Sequence, residues 1–237
     1  MKILLVADVE ERCLWDYYDE KRFADVDLIL SAGDLDANYL EFLVTVTNKP
    51  LLYVRGNHDD GYARRAPGGC ICIEDSVYVW HGLRIAGLGG SVRYRDGLNM
   101  FTEREMARRV RRLEPKVRLA GGVDILLTHA PARGVGDMDD RPHQGFECLT
   151  EALGRWNPDY MVHGHVHQGY SPRFERMREL PCGTQVINAC GHHVLEVDEA
   201  RYPNRGWAGT ILNADALRPE KHARMAAGPM TFDASYW

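Results

Sequence analysis

Five apolar segments of this chain run straight into residues that hold metals or move protons. Residues 3–7 lead to Asp8 and Glu10, residues 28–33 to Asp34, and residues 51–56 to Asn57, His58 and Asp59. Residues 124–128 lead to His129, and residues 159–164 to His165 and His167. In an open α/β sheet the carboxyl ends of the strands line one crevice, so this pattern predicts that all five clusters converge. Asp8 and Glu10 are two residues apart, as are His165 and His167, which points the members of each pair the same way from an extended backbone. Mixed carboxylate, amide and imidazole donors suit Mn, Fe, Zn or a similar transition ion, not an all-oxygen calcium site. Taken singly, each residue has an ordinary role. Asp8 or Asp34 suits a helix N-cap, Asn57 a turn, and His129 a satisfied core position. Their order and shared position at strand ends carry the metal reading.

To bring these residues together the chain must fold as alternating strands and helices, the signature of βαβ units around a largely parallel sheet. Strands are expected over residues 2–7, 28–31 and 51–55. A helix is expected over 14–23, and another from the spacing of Tyr39, Leu40, Leu43 and Val44 before Pro50. Residues 70–74, 77–80 and 83–88 read as antiparallel strands. Thr102 and Glu105 form a capping box for a helix whose apolar stripe is Met106, Val110 and Leu113, with Pro115 expected to end it. Then follow a strand at 124–128, a helix on Phe146, Leu149, Leu153 and Trp156, a strand at 159–163, and two late strands at 184–189 and 193–197. There is no internal repeat or linker-like shift, so one domain over 1–237 is expected. Residues 213–237 read as a C-terminal tail, and the aromatic end favours its docking.

Composition sets the outer bounds. At 237 residues the chain buries roughly 70–75% of its unfolded surface and needs no staple for stability. A net charge of −5 argues against wholesale nucleic-acid wrapping or docking on an anionic membrane. The apolar run at 3–7 is too short for a signal core or a membrane span, and a cytosolic location is expected. The six cysteines lack zinc-knuckle or thioredoxin spacing and read as small, free, buried thiols.

The series Asp8-x-Glu10, Gly33-Asp34, Gly56-Asn57-His58-Asp59, Thr128-His129 and Gly164-His165-Val166-His167 resembles the calcineurin-like metallophosphoesterase superfamily over about residues 1–200. That resemblance implies a four-layer α-β-β-α sandwich of two mixed sheets flanked by helices. It also implies a hydrolase with two metal ions; from the donor types these are expected to be divalent transition ions, Mn first, with Fe, Zn or Co as alternatives. Asp8, Asp34 and His167 would hold the first ion, and Asp34, Asn57, His129 and His165 the second, so that Asp34 bridges them. His58 would contact the leaving oxygen or the phosphoryl group.

The chemistry expected of such a centre is a bridging hydroxide, ionised near neutral pH and aimed in line at phosphorus. Neutral His58 would polarise a phosphoryl oxygen. Protonated His58 would donate to the leaving group, and Asp59 is the carboxylate placed to fix its tautomer. The family usually has histidine where this chain has Glu10. If Glu10 ligates, three carboxylates make the first site harder and favour Mn; if it turns away, that site loses a donor. The second motif lacks the arginine that follows it in phosphoprotein phosphatases. A phosphodiester or small-molecule phosphate is therefore the expected substrate, and a non-catalytic scaffold such as the family's retromer subunit is the alternative. The sequence leaves the oligomeric state open.

Two further stretches carry charge. The helix around Arg108, Arg109, Arg111 and Arg112 reads as a solvated face because Glu103, Glu105 and Glu114 are interspersed. Loops 89–101 and 131–145 bring Arg93, Tyr94, Arg133 and His143 near the expected crevice as substrate contacts.

Overall fold

Alternation along the first strand decides the layering. In β1 (Lys2–Ala7), Ile3, Leu5 and Ala7 enter one apolar layer while Leu4 and Val6 enter another, as the period of two requires. A computed structural model of the chain describes residues 1–170, 174–203 and 206–218. The elements that follow β1 are α1 (Glu20–Phe23), β2 (Leu28–Ser31), α2 (Ala37–Thr47), β3 (Leu51–Tyr53), β4 (Ile71–Cys72), β5 (Ser76–Trp80), β6 (Leu83–Leu88), β7 (Ser91–Val92) and β8 (Met100–Phe101). Then come α3 (Glu103–Ala120), β9 (Ile125–Thr128), α4 (Glu147–Trp156), β10 (Tyr160–His163), β11 (Met177–Glu179), β12 (Gln185–Asn188), β13 (Gly191–Glu196) and α5 (Gly206–Ala216).

One large sheet has the order β13-β1-β2-β3-β4 and the other β11-β12-β10-β9-β6-β5, while β7 and β8 pair in a separate two-stranded ladder. Parallel pairing runs through β1, β2, β3 and β4, and through β6, β9, β10 and β12. Antiparallel partners β13, β5 and β11 close the edges, so both sheets are mixed. Between them Leu5, Leu30 and Leu52 of the first meet Ile85, Leu127 and Val162 of the second in a fully buried layer. Each such side chain contributes about 1.5–3 kcal/mol on burial. Tyr39, Leu40 and Leu43 of α2 cover the outer face of the first sheet. Met106 and Val110 of α3, with Leu149 and Trp156 of α4, cover the second. This is the expected four-layer α-β-β-α sandwich. Because the parallel strands of both sheets run the same way out of this core, their carboxyl ends open on one edge.

Several local expectations are corrected. The helix expected over 14–23 shrinks to α1, capped by Asp19, whose carboxylate accepts the N–H of Lys21. Ahead of it the carbonyl of Arg12 accepts the N–H groups of both Trp15 and Tyr17 in turns. Trp15 packs on Tyr39 and Phe42, and this aromatic docking overrides the helical spacing. The segment at 70–74 gives a parallel strand, β4, paired with β3.

Pro115 lies inside α3, which continues to Ala120 and ends at Gly121 with φ +74°. An interior proline costs ~3 kcal/mol, and burial of Val117 and Ala120 extends the apolar stripe far enough to offset it. The capping box of Thr102 and Glu105 is formed in both directions. Within the expected tail, α5 occupies residues through Ala216, while the expected docking of the aromatic end falls outside the described residues. No helix among the described residues is long and apolar enough to cross a membrane.

Candidate metal centre

Three of the expected ligands leave their strands through a sharp backbone reversal. Asp8 directly follows β1, Asp34 lies just beyond β2, and His165 just beyond β10. Their φ angles are +61°, +56° and +70°. This left-handed region costs a non-glycine residue roughly 1–2 kcal/mol, and Asp, Asn and His enter it most readily. The reversal turns each side chain off its strand and into the crevice.

The glycines ahead of the ligands let the loops close on one another. A Cβ on Gly56 would stand 2.0 Å from Asp34 Oδ1, and one on Gly164 would stand 2.6 Å from Asp8 Oδ2. Both would displace a carboxylate, so the Gly-Asn and Gly-His pairs are required by this packing. Asp59 binds the loops together: its buried Oδ2 accepts the N–H groups of Asp34 at 2.9 Å and Gly56 at 2.7 Å. The expectation that Asp59 orients His58 is thereby corrected, since its carboxylate is turned inward to backbone donors. Burial, reinforced by the charge on Asp34, pushes the Asp59 carboxyl up to about 7.

Asp34, His129 and His165 bring ligand atoms within 4.8 Å of one another. Asn57 joins them, its Oδ1 lying 2.9 Å from His129 Nε2. Asp34 Oδ2 is 3.3 Å from the same nitrogen, and Asp34 Oδ1 accepts the N–H of His58 at 2.7 Å. Asp8, whose side chain is wholly buried, accepts the N–H of His165 on both oxygens at 2.9 Å. His167 Nε2 stands 3.9 Å from Asp8 Oδ1, and its ring stacks on Tyr170 at 4.6 Å.

The fold therefore assembles Asp8, Asp34, Asn57, His129, His165 and His167 at one place. Glu10 lies apart. It is exposed, and its Oε1 accepts the N–H of Asp36, the N-cap residue of α2, at 3.1 Å. His58 is also exposed, and its Nδ1 lies 3.3 Å from Nη2 of Arg95, a residue that sequence reasoning did not single out.

The hydrogen bonds of the two buried histidines test whether the donor set suits a cation. His129 Nδ1 lies 2.8 Å from the carbonyl of Ala32, and His165 Nε2 lies 2.7 Å from that of Pro142. A carbonyl only accepts, so those nitrogens carry the protons. Histidines that ligate metals donate their second nitrogen in this way to backbone carbonyls. The remaining nitrogen of His129 faces two oxygens, of Asn57 and Asp34. A lone pair does not face two acceptors without a positive charge between them. Either a second proton or a metal ion meets that need, and the residues fit a metal.

The charge balance agrees. Burial opposes ionisation of Asp34, but the charge and hydrogen bond of His129, with the N–H of His58, outweigh it and hold the carboxyl at about 2. Burial likewise works against a charged His129, and Asp34 overcomes it, raising the ring to about 9. Asp8 has no comparable partner, and burial pushes it up to about 6. Burial, then the charge on His129, lowers His165 to about 3. Among the described residues only imidazoles stand within ion-pair distance of Asp8 and Asp34. His129 balances Asp34, while among the described residues Asp8 and Asp59 have no cation of their own, so the crevice holds more carboxylates than charged rings.

Of the expected substrate contacts, Tyr94 and His143 lie at the crevice. Tyr94 Oη is 3.5 Å from Asn57 Nδ2, and the ring of His143 is 5.3 Å from that of His165. Arg93 instead pairs with Glu105 at 2.9 Å and Arg133 with Asp137 at 2.8 Å.

Residues 1–192 match the family described as the calcineurin-like phosphoesterase superfamily domain. The chain is 44% identical over 74 residues to UPF0046 protein T07D4.2 of Caenorhabditis elegans, covering 30% of this chain and 17% of that protein. It is 32% identical over 105 residues to metallophosphoesterase domain-containing protein 1 of Homo sapiens, covering 43% and 30%. The matched segments thus span less than a third of the length of these relatives. Among solved structures, TT1561 of Thermus thermophilus shares the fold with a TM-score of 0.50 and 14% identity, over 80% of this chain and 89% of that one.

Proposed function

This chain belongs to the calcineurin-like phosphoesterase superfamily, and we propose that it is a metal-dependent phosphoesterase that hydrolyses a phosphodiester or a small-molecule phosphate. The observation that carries this reading is the ring of His129, held by Ala32 on one side and turned toward Asn57 and Asp34 on the other. Asp34, Asn57, His129 and His165 are the donors for one divalent transition ion, and Asp8, Asp34 and His167 for a second; this mixed oxygen and imidazole set suits Mn, Fe or Zn, with Mn the ion tested first. When bound, such a pair supplies an activated water and neutralises charge on the phosphoryl oxygens.

The chain's own groups do the rest. Asp34 fixes the backbone of His58 through its N–H, which places that ring at the open side of the crevice. Arginine only donates, so Arg95 at 3.3 Å makes Nδ1 of His58 an acceptor and leaves the ring proton on Nε2. His58 is then a hydrogen-bond donor toward a phosphoryl or leaving oxygen, and Arg95 adds positive charge beside it. Glu10, with Oε1 on the amide of Asp36, stands outside this donor set.

A chromogenic phosphodiester, a phosphomonoester and a cyclic nucleotide, each assayed with Mn and after chelation, test the reading. Turnover should appear with Mn and vanish with chelator, and Asp34→Ala should lose both bound metal and activity. Metal-loaded protein that turns over none of the three would favour the scaffold alternative.

A further inference from the structure

Outside the crevice, the segment after β1 folds back across the start of β13. The carbonyl of Glu11 accepts the N–H of Leu14 at 2.9 Å, closing a turn that holds Glu11 and Cys13. The register of β1 on β13 sets Ala7 opposite Gly191 and Val6 opposite His192, which brings His192 under this turn. Ligand atoms of Glu11, Cys13 and His192 all lie within 4.8 Å of one another.

Three observations set this group apart from a chance surface cluster. His192 Nδ1 is buried and has no hydrogen-bond partner, although a buried ring nitrogen ordinarily has one. Glu11 Oε1 approaches it only to 3.8 Å, too far for a hydrogen bond. Gly191, at φ +76°, makes the approach possible, because a Cβ there would stand 2.5 Å from Glu11 Oε1. Cys13 is a free, half-buried thiol.

We infer that Glu11, Cys13 and His192 form a mononuclear site for a zinc-class divalent ion, separate from the crevice. Zinc binds sulfur at about 2.3 Å and nitrogen or oxygen at about 2.0–2.2 Å in a tetrahedron, whose donor atoms stand roughly 3.3–3.7 Å apart. The 3.8 Å separation of Glu11 and His192 is already close to that edge. A thiolate with an imidazole selects softer ions than the crevice, whose six assigned donors are carboxylate, amide and imidazole groups. On binding, the Cys13 sulfur forms the bond to the ion and its proton goes to solvent. Solvent takes the fourth position, since Glu11 and His192 each keep 37% side-chain exposure. The ion ties the irregular segment that follows Asp8 to β13.

Titration of the full, reduced chain with Co(II) tests this directly, because thiolate-to-cobalt charge transfer absorbs in the near ultraviolet and oxygen or imidazole donors do not give it. With Co(II) in excess of the two crevice ions, the absorption should saturate at the intensity of one thiolate-bound ion per chain. Cys13→Ser should abolish it, His192→Gln should weaken binding by about tenfold or more, and Asp34→Ala should leave it intact. No absorption from the wild-type chain at saturating Co(II) overturns the site, and that arm depends on no variant folding. Full absorption in Cys13→Ser assigns it to another thiol, and loss in Asp34→Ala merges it with the crevice; either result also overturns the inference.

Discussion

Two buried ionic clusters in this molecule solve the same problem in opposite ways. Under α3, Arg109 donates from Nε to Asp75 at 2.9 Å, from Nη1 to the carbonyl of Gly89 at 2.6 Å and from Nη2 to Glu74 at 3.3 Å. Its guanidinium also lies over the ring of Phe101 at 4.4 Å, and Glu74 accepts the N–H of Arg55 at 2.8 Å. Here the chain supplies cation and anions together. In the crevice, Asp8, Asp34 and Asp59 are brought close with imidazoles and backbone N–H groups as their partners. A buried carboxylate is tolerated only when paired. The first cluster is paired internally and serves the fold. The second sets three carboxylates against the one charged ring of His129, and that excess marks where a cation from outside belongs.

Breaking the internally paired cluster should have the largest effect on stability. Arg109→Met leaves Glu74 and Asp75 without their guanidinium and should cost about 3–5 kcal/mol, read from chemical denaturation. The surviving folded protein should keep its metal content. A loss of metal in step with stability would mean that the two clusters are not independent.

The unpaired cluster predicts a pH dependence that the metal-free protein should reveal. With its folded value raised from 3.8 to about 6, Asp8 binds a proton in the folded chain that the unfolded chain has already released. Its contribution to stability is therefore full at low pH and is lost as pH rises through that window. Asp59, raised to about 7, acts in the same direction. The buried rings of His163 and His165, held at about 4 and about 3, act in the opposite direction. The crevice is therefore read by difference: chelated wild-type protein should lose more melting temperature between pH 5 and pH 8 than chelated Asp8→Asn. Asp8→Asn should remove about 1.4 kcal/mol of that difference, because only the part of the window between pH 5 and about 6 lies inside the range compared. Metal loading should reverse the slope, because ligation needs the carboxylates ionised. An Asp8→Asn variant whose metal-free difference between pH 5 and pH 8 equals that of the wild type contradicts this account of the crevice.

Catalysis separates the groups that hold metal from those that act beside it. His58→Ala should lower turnover roughly a hundredfold, about 2.7 kcal/mol, with metal content near normal. Proportional loss of metal and rate would assign His58 to the ligands. Glu10 marks the smallest expected effect. Glu10→Gln keeps an oxygen to accept the N–H of Asp36, so metal stoichiometry and the pH–rate profile should stay unchanged, with a stability change below about 1 kcal/mol. A shifted pH–rate profile in that variant would bring Glu10 into the site.

Much of the frame was legible because strand-length apolar runs and helical stripes report local burial directly. The runs ending at Ala7, Ser31, Thr128 and His163 became the strands that carry Asp8, Asp34, His129 and His165. The capping box at Thr102 was equally readable, since it depends on four adjacent residues. Pro115 was misread because a local rule counts the lost hydrogen bond and not the burial of Val117 and Ala120 beyond it. Arg109 was read with its neighbours as a solvated residue, yet it is 7% exposed, because its partners Glu74 and Asp75 lie more than thirty positions away.

By itself, then, the sequence determined which residue types stand at the ends of which strands, and so the kind of ion and reaction to consider. Tertiary structure decided their use. The left-handed turns at Asp8, Asp34 and His165, the close approach at Gly56 and Gly164, and the pairing of His58 with Arg95 join residues distant in the chain. So does the inward turn of Asp59, which a neighbour-by-neighbour reading assigned to His58. Spacing along a chain fixes the direction of a side chain relative to its own strand, whereas its partner is fixed by which other strand ends there.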